Sequence, residues 1–383
     1  MTAMNQVINF IKKETILIIA LLLAFLSMFI VPPCAAYTDY IDWNTLLLLF
    51  CLMAVVAGLQ KLGVFSIIAD HLLLKTHTTR QLLLSLVFLP FFFSMMITND
   101  VALITFVPFA LVVLRLAKKE QLLLPVVVLQ TLAANLGSML MPMGNPQNLY
   151  LYNLSGISLF HFLQLMFPLF LLSALILLVT IYLLPNKPLD QFSMTPSSIR
   201  QKNKKNSSAA LATYLILLFL CILSVLKILP SLWLTILIIL YLLFFDRKIF
   251  KKVDYSLLAT FTGFFIFIGN ISQIEFFRNA MQAMITGHEI PVAILSSQLI
   301  SNVPAALLLS GFTRQYTSLI IGTNLGGLGT LIASMASLIS YKQIAKNYPE
   351  KRLSYLILFT IANLLILGIL YGSICLFPSL FLP

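Results

Sequence analysis

Residues 160–184 contain no Asp, Glu, Lys or Arg, and several other stretches of the chain are nearly as apolar. About 20 such residues in a helix cross the ~30 Å hydrocarbon core of a bilayer. In lipid every backbone N–H and C=O must be satisfied within the protein, so runs of this kind commit the chain to packed membrane helices. The composition agrees, with 60% hydrophobic and 9% charged residues and a mean hydropathy of +1.01, far outside the range of soluble domains. The expected fold class is an all-α polytopic membrane protein.

Spans are expected at residues 14–31, 44–65, 121–140, 160–184, 211–229, 232–246, 255–271, 317–335 and 353–377, about nine transmembrane helices. Lys12 and Lys13 before the apolar run Thr15 to Val31, with Ala35 and Ala36 beyond, have the layout of a signal peptide; with so many spans following, the run is read as an uncleaved first helix. Two further apolar stretches, 81–114 and 291–313, carry polar breaks at their midpoints and read as re-entrant helical hairpins. The arms of the second, Pro291 to Ile300 and Ala305 to Gly311, are too short to reach beyond mid-membrane.

The net charge of +12 would point to nucleic acid in a soluble protein. Here the Lys and Arg residues sit in short loops and report topology. With the hairpins re-entrant, all 24 except Lys227, Arg278 and Arg314 fall on one side. That side is the cytoplasm by the positive-inside rule, which sets the N-terminus inside and the C-terminus outside a cell membrane, plasma or inner.

The breaks are the informative feature. Thr98, Asn99 and Asp100 interrupt the first hairpin, and Ser301, Asn302, Val303 and Pro304 the second. Met143 to Asn148 and Gly322 to Gly327 interrupt two further helices. The halves they lie in are related: Asp42 and Asp254 each open a long apolar helix 212 residues apart, Asn99 pairs with Asn302 at an offset of 203, and Asn135 pairs with Asn324 at 189. The last offset carried forward sets Asn145 against Ser334 and Asn148 against Ser337. By the topology above the two repeats are inverted, the arrangement of secondary transporters whose site lies where the repeats meet.

The expected domains are a first repeat over 1–184 with hairpin 81–114 and broken helix 121–157, and a polar cytoplasmic linker over 185–210. An extra helix over 211–231 turns over the second repeat, 232–383, with hairpin 291–313 and broken helix 317–342.

Interrupted helices aim free N–H groups at anions and free carbonyls at cations. Gly137, Gly144, Gly326, Gly327 and Gly329 permit unwinding, and Pro146 and Pro304 prevent regular helix. The expected substrate site is Thr98, Asn99, Asn145, Pro146, Asn148, Ser301, Asn302, Thr323 and Asn324, with Asp100, Asn135, Gly137 and Ser334 holding a coupling H+ or Na+. Asp100 is the acid deepest in the membrane, and its other reading is a helix-capping acid. His71, His77, His161 and His288 show no ligand spacing, and Cys34, Cys51, Cys221 and Cys375 are far apart, so neither a metal beyond Na+ nor a cofactor is expected. Phe91, Phe92 and Phe93 read as packing or lipid-facing.

Ile97 to Leu103 (ITNDVAL), Asn135 to Asn148 (NLGSMLMPMGNPQN), Ser301 to Ala305 (SNVPA) and the helix start at Asp42 resemble the ion transporter superfamily with its citrate-transporter-like domain, which includes arsenite-efflux permeases, sodium-proton antiporters and divalent-anion symporters. The resemblance covers nearly the whole chain. It implies a scaffold domain and a mobile transport domain, a homodimer, and an elevator mechanism. The divalent-anion branch carries Ser-Asn-Thr at both tips; Thr98, Asn99, Ser301 and Asn302 match it, while Asp100 and Val303 depart, and the Asn-Asp pair looks more like the arsenite and antiporter branches.

The expected function is cation-coupled secondary transport of a small anion, a carboxylate or inorganic oxyanion, with arsenite efflux or sodium-proton antiport as the alternative. An intramembrane hydrolase would want a second buried acid opposite Asp100, a channel would not need paired inverted breaks, and no P-loop is present. The expected partners are the solute and the lipid bilayer, with no nucleic acid.

Overall fold

A computed structural model describes residues 14–35, 37–73, 76–189 and 207–381. Most of the linker, and Lys12 and Lys13, lie outside the described residues. Short turns aside, the helices are α1 (Thr15–Ser27), α2 (Trp43–Lys61), α3 (Val64–Leu73), α4 (Thr79–Ile97), α5 (Asn99–Leu116), α6 (Leu123–Ser138), α7 (Pro146–Ser155), α8 (Leu159–Leu183) and α9 (Ser207–Val225). There follow α10 (Ser231–Phe245), α11 (Tyr255–Ile271), α12 (Glu275–Ile285), α13 (Glu289–Ile300), α14 (Asn302–Ser310), α15 (Tyr316–Gly326), α16 (Met335–Asn347) and α17 (Arg352–Leu376). Among the described residues there is no named strand, and seven helices are long and apolar enough to cross a membrane, or eight if the bent pair α11 and α12 is one span. The protein is an all-α polytopic membrane protein.

Local chemistry sets the helix starts. Asp42 caps α2 by accepting the Thr45 N–H at 3.0 Å, and Asp254 caps α11 by accepting the Leu257 N–H at 3.0 Å, at nearly the same backbone angles (−76°, 84° and −82°, 86°). The 212-residue offset is thus a shared local structure. In each half the long helix leads into a shorter one that is absent from the expected spans. The span expected over 44–65 ends at Lys61 and turns through Gly63 (φ +73°) into α3, and α11 bends by 107° into α12.

The hairpins differ in length. α13 and α14 are short, as expected, but α4 and α5 have 19 and 18 residues, enough for either to cross. Their helices continue through Pro90 and Pro108. The span expected over 317–335 ends at Gly326, because residues 327–334 unwind before α16 begins.

Packing sorts the helices into a lipid-facing shell and a core. α8 exposes Phe160, Phe167, Leu171, Leu175 and Val179 along one stripe, as a helix facing lipid should. α6 is buried on every side from Val126 to Ser138, and α15 from Leu319 to Gly326. These two central helices, related by the 189-residue offset, carry Asn135 and Asn324. Phe91 is fully buried and stacks on Phe170 with ring centres 4.8 Å apart, while Phe92 is exposed.

Candidate functional site

The two hairpin tips have one conformation. Thr98 sits at φ 70°, ψ 150° and Ser301 at φ 75°, ψ 153°, a region that glycine occupies freely and other residues rarely. Neither residue caps the helix it precedes. Holding side chains there costs about 1–3 kcal/mol apiece. Thr98→Gly and Ser301→Gly are each expected to raise the melting temperature in detergent by a few degrees, after the larger unfolded-state entropy of glycine is subtracted; an unchanged or lower value would remove the strain argument.

Each first arm meets its broken helix through a matched pair. A Cβ at Gly137 would stand 1.9 Å from the Phe91 carbonyl oxygen and 2.8 Å from Ser94 Oγ; at Gly326 it would stand 2.4 Å from Ser297 Oγ and 3.1 Å from the Ala293 carbonyl oxygen. Ser94 and Ser297 are 203 residues apart, Gly137 and Gly326 are 189 apart, and each serine donates back into its own helix. Gly137 therefore serves close helix approach.

One buried hydrogen-bond network joins the breaks. Asn99 Nδ2 donates to Asn135 Oδ1 at 2.9 Å, Ser334 Oγ donates to the same oxygen at 3.2 Å, and Asn135 Nδ2 reaches the Gly327 carbonyl at 3.5 Å. Ser138 Oγ donates to the Asn135 carbonyl and accepts from Asn145 Nδ2. Asn145 Nδ2 also donates to Asn324 Oδ1 at 3.2 Å, and Asn324 Nδ2 donates to Asn148 Oδ1 at 2.6 Å. Asn145 caps α7 by accepting the Asn148 N–H at 3.0 Å, with Pro146 in the first turn. At the second tip the Asn302 N–H donates to the Ala333 carbonyl at 2.9 Å, and Ser301 Oγ approaches it at 3.4 Å. A Cβ on Gly327 would lie 2.8 Å from Asn302 Nδ2, so the second tip reaches the segment that follows α15 directly and the first tip reaches it through Asn135.

The N-terminal ends of α5, α7, α14 and α16 and the C-terminal ends of α4, α6, α13 and α15 thus belong to one cluster. Positive and negative helix ends face each other where the carboxamides are no more than 6% exposed. The symmetry is incomplete. Asn135 bonds its own tip residue Asn99, whereas Asn324 bonds Asn145 and Asn148 across the halves, which leaves the Asn302 carboxamide without a hydrogen bond among the described residues.

The side chains of two expected site residues, Thr323 and Asp100, make no bond within the network. Thr323 Oγ1 turns back to the Leu319 carbonyl at 2.7 Å, outside the network. Asp100 does not cap: Thr98 holds the cap position, the Asp100 N–H donates to Asn99 Oδ1 at 2.9 Å, and its half-buried carboxylate has no hydrogen bond or ion pair among the described residues. Gln298 was not anticipated. Its Nε2 donates to the carbonyls of Gly326 (3.0 Å) and Leu328 (2.9 Å) and its Oε1 accepts the Thr330 N–H (2.8 Å), fastening the second break to α13. A glutamine inside an apolar helix was the available signal. Met95, its counterpart at the 203 offset, offers no such clamp.

A multi-pass helical bundle whose broken helices meet at a buried carboxamide cluster is the architecture of a membrane transporter. The chain belongs to the citrate transporter family, whose profile matches residues 7–315. It is similar to the uncharacterized transporter MJ0456 of Methanocaldococcus jannaschii, with 30% identity over 79% of this chain and 81% of the relative. It is also similar to the inner membrane protein YbiR of Escherichia coli K12, with 29% identity over 83% of this chain and 84% of the relative.

Proposed function

We propose that the protein is a secondary active transporter that moves a small anion, a carboxylate or inorganic oxyanion, in exchange for or together with H+ or Na+. The observation that carries this reading is the meeting of helix N-termini and C-termini at one buried polar cluster. First-turn amides of a helix have no partner within it and hold anions; last-turn carbonyls hold cations. Ser301, Asn302, Asn99 and Thr98 supply the tip contacts to the solute, with Asn145, Asn148 and Asn324 behind them. Asp100, with Asn135 and Ser334 beside it, takes the coupling cation. The halves act as inverted repeats, with the hairpins and broken helices forming a unit that moves against the rest in a homodimer. The N-terminus lies in the cytoplasm and the C-terminus outside an inner or plasma membrane; the inner-membrane part of this reading is supported by the name of the Escherichia coli relative.

Purified protein in liposomes tests this by counterflow of citrate, succinate, phosphate, sulfate and arsenite. Saturable counterflow of at least one solute is expected, and Asn99→Ala and Asn302→Ala are each expected to raise its KM about fivefold or more, the effect of one lost hydrogen bond. Absence of counterflow for every solute, or full affinity in both variants, overturns the reading. Sodium-driven pH change without solute movement would instead assign antiport.

A further inference from the structure

The first break holds three carboxamides, and the network uses two of them. Asn145 and Asn148 are bonded as described; Gln147 between them is 1% exposed, and neither its Oε1 nor its Nε2 has a hydrogen bond among the described residues. A buried carboxamide with both ends unpaired is costly and uncommon in a folded protein. It stands in the first turn of the ten-residue helix α7, one turn before Tyr150, whose hydroxyl pairs with Ser310 of α14 at 2.8 Å. Gln147 and Tyr150, three residues apart, share a flank of α7, and that flank meets α14 at its last residue, Ser310; α14 begins at the second tip, where the Asn302 carboxamide has no hydrogen bond among the described residues. At the 189-residue offset the other half has Ala336, so this pair of groups exists once per chain.

A carboxamide presents a donor and an acceptor side by side. Its complement is an edge bearing a hydroxyl next to an acceptor oxygen on one central atom, which makes two antiparallel hydrogen bonds. A fully deprotonated edge offers two acceptors and leaves Oε1 facing another oxygen. We propose that Gln147 is the selectivity residue of the transport site and that the solute it selects is an oxyacid or oxyanion that keeps at least one hydroxyl. The inference rests on the transport reading above and adds to it the protonated class of solute.

Phosphate and sulfate are tetrahedral anions of similar size that differ by the hydroxyl phosphate retains at neutral pH, and they form the test pair, with arsenite as a hydroxyl-bearing solute of another shape. Wild-type protein in liposomes is expected to exchange phosphate or arsenite in preference to sulfate. Gln147→Leu keeps the approximate volume and removes both polar groups. It is expected to lower that preference about tenfold through KM, while the melting temperature of the protein stays equal or rises, because an unpaired buried amide has been replaced by an apolar side chain. Gln147→Glu removes the donor and is expected to weaken both oxyanions. A wild type that prefers sulfate, a Gln147→Leu protein with unchanged selectivity, or one that fails to fold overturns the inference and assigns Gln147 to packing. If the wild type exchanges no solute of any kind, the transport reading itself falls.

Discussion

Gly137→Ala is expected to abolish solute exchange and to leave little folded protein in detergent. The added methyl would stand 1.9 Å from the Phe91 carbonyl oxygen and 2.7 Å from its carbon, both backbone atoms of α4, so no rotamer change relieves the clash. α6 is buried on all sides and cannot retreat without disturbing Asn135 two residues away, which carries the bonds to Asn99, Gly327 and Ser334. Overpacking a well-filled core costs about 1–3 kcal/mol, and a clash with fixed backbone belongs at or above the top of that range. The related glycine gives the control. At Gly326 the nearest atoms are Oγ and Cβ of Ser297, with the Ala293 carbonyl farther off at 3.1 Å. Gly326→Ala is therefore expected to be partly rescued by Ser297→Gly, whereas Ser94→Gly does not rescue Gly137→Ala. Melting curves and size-exclusion profiles of the four variants decide it. A Gly137→Ala protein that melts like wild type would mean that α4 and α6 are not packed as described.

The residues that break a helix are local chemistry, and that is why so much of the site is legible in the sequence. Asp42 and Asp254 announce helix starts by their capping oxygens, and the structure gives them nearly equal backbone angles. Thr98 and Ser301 mark the tips, and the Asn135 and Asn324 motifs mark the ends of the central helices. What sequence does not disclose is which carboxamide pairs with which. Repeat symmetry alone would match Asn99 with Asn135 and Asn302 with Asn324, but Asn324 turns to Asn145 and Asn148, a choice made by packing between the halves. Thr323 was expected at the site by position, yet its hydroxyl has an acceptor one turn back on its own helix, and that bond needs no rearrangement. The amphipathic helix α3 escaped because its apolar residues run on from those of α2, and α12 because Glu275, Arg278, Asn279 and Gln282 make it too polar to read as a span. Gln298 escaped because its partners lie about thirty residues on, in the unwound segment.

Asp100→Asn is expected to uncouple transport while leaving the fold intact. The carboxamides at and beside the first tip have structural duties that can be named: Asn99 binds Asn135 and accepts the Asp100 N–H, and Asn135 in turn holds Ser334. The Asp100 carboxylate stands in the first turn of α5, where the helix dipole favours it, but it neither accepts a capping bond nor pairs with a base among the described residues. An acid in that position stays only if it binds something. The second tip supplies the comparison, because Val303 stands where Asp100 would be at the 203-residue offset and the matching backbone holds its shape without a charge. Asparagine has nearly the same shape as aspartate, so stability should be unchanged or slightly raised. Counterflow of solute should continue, but accumulation driven by an imposed H+ or Na+ gradient should fall by about 5- to 150-fold, the range of ordinary coupling free energies between sites. Asp254, the residue that caps α11, supplies a carboxylate control. Asp254→Asn removes that charge, keeps a residue able to cap α11, and should leave coupling intact. Gradient-driven uptake into liposomes separates the outcomes. Wild-type coupling in Asp100→Asn, or equal loss in both variants, would take the coupling cation away from Asp100.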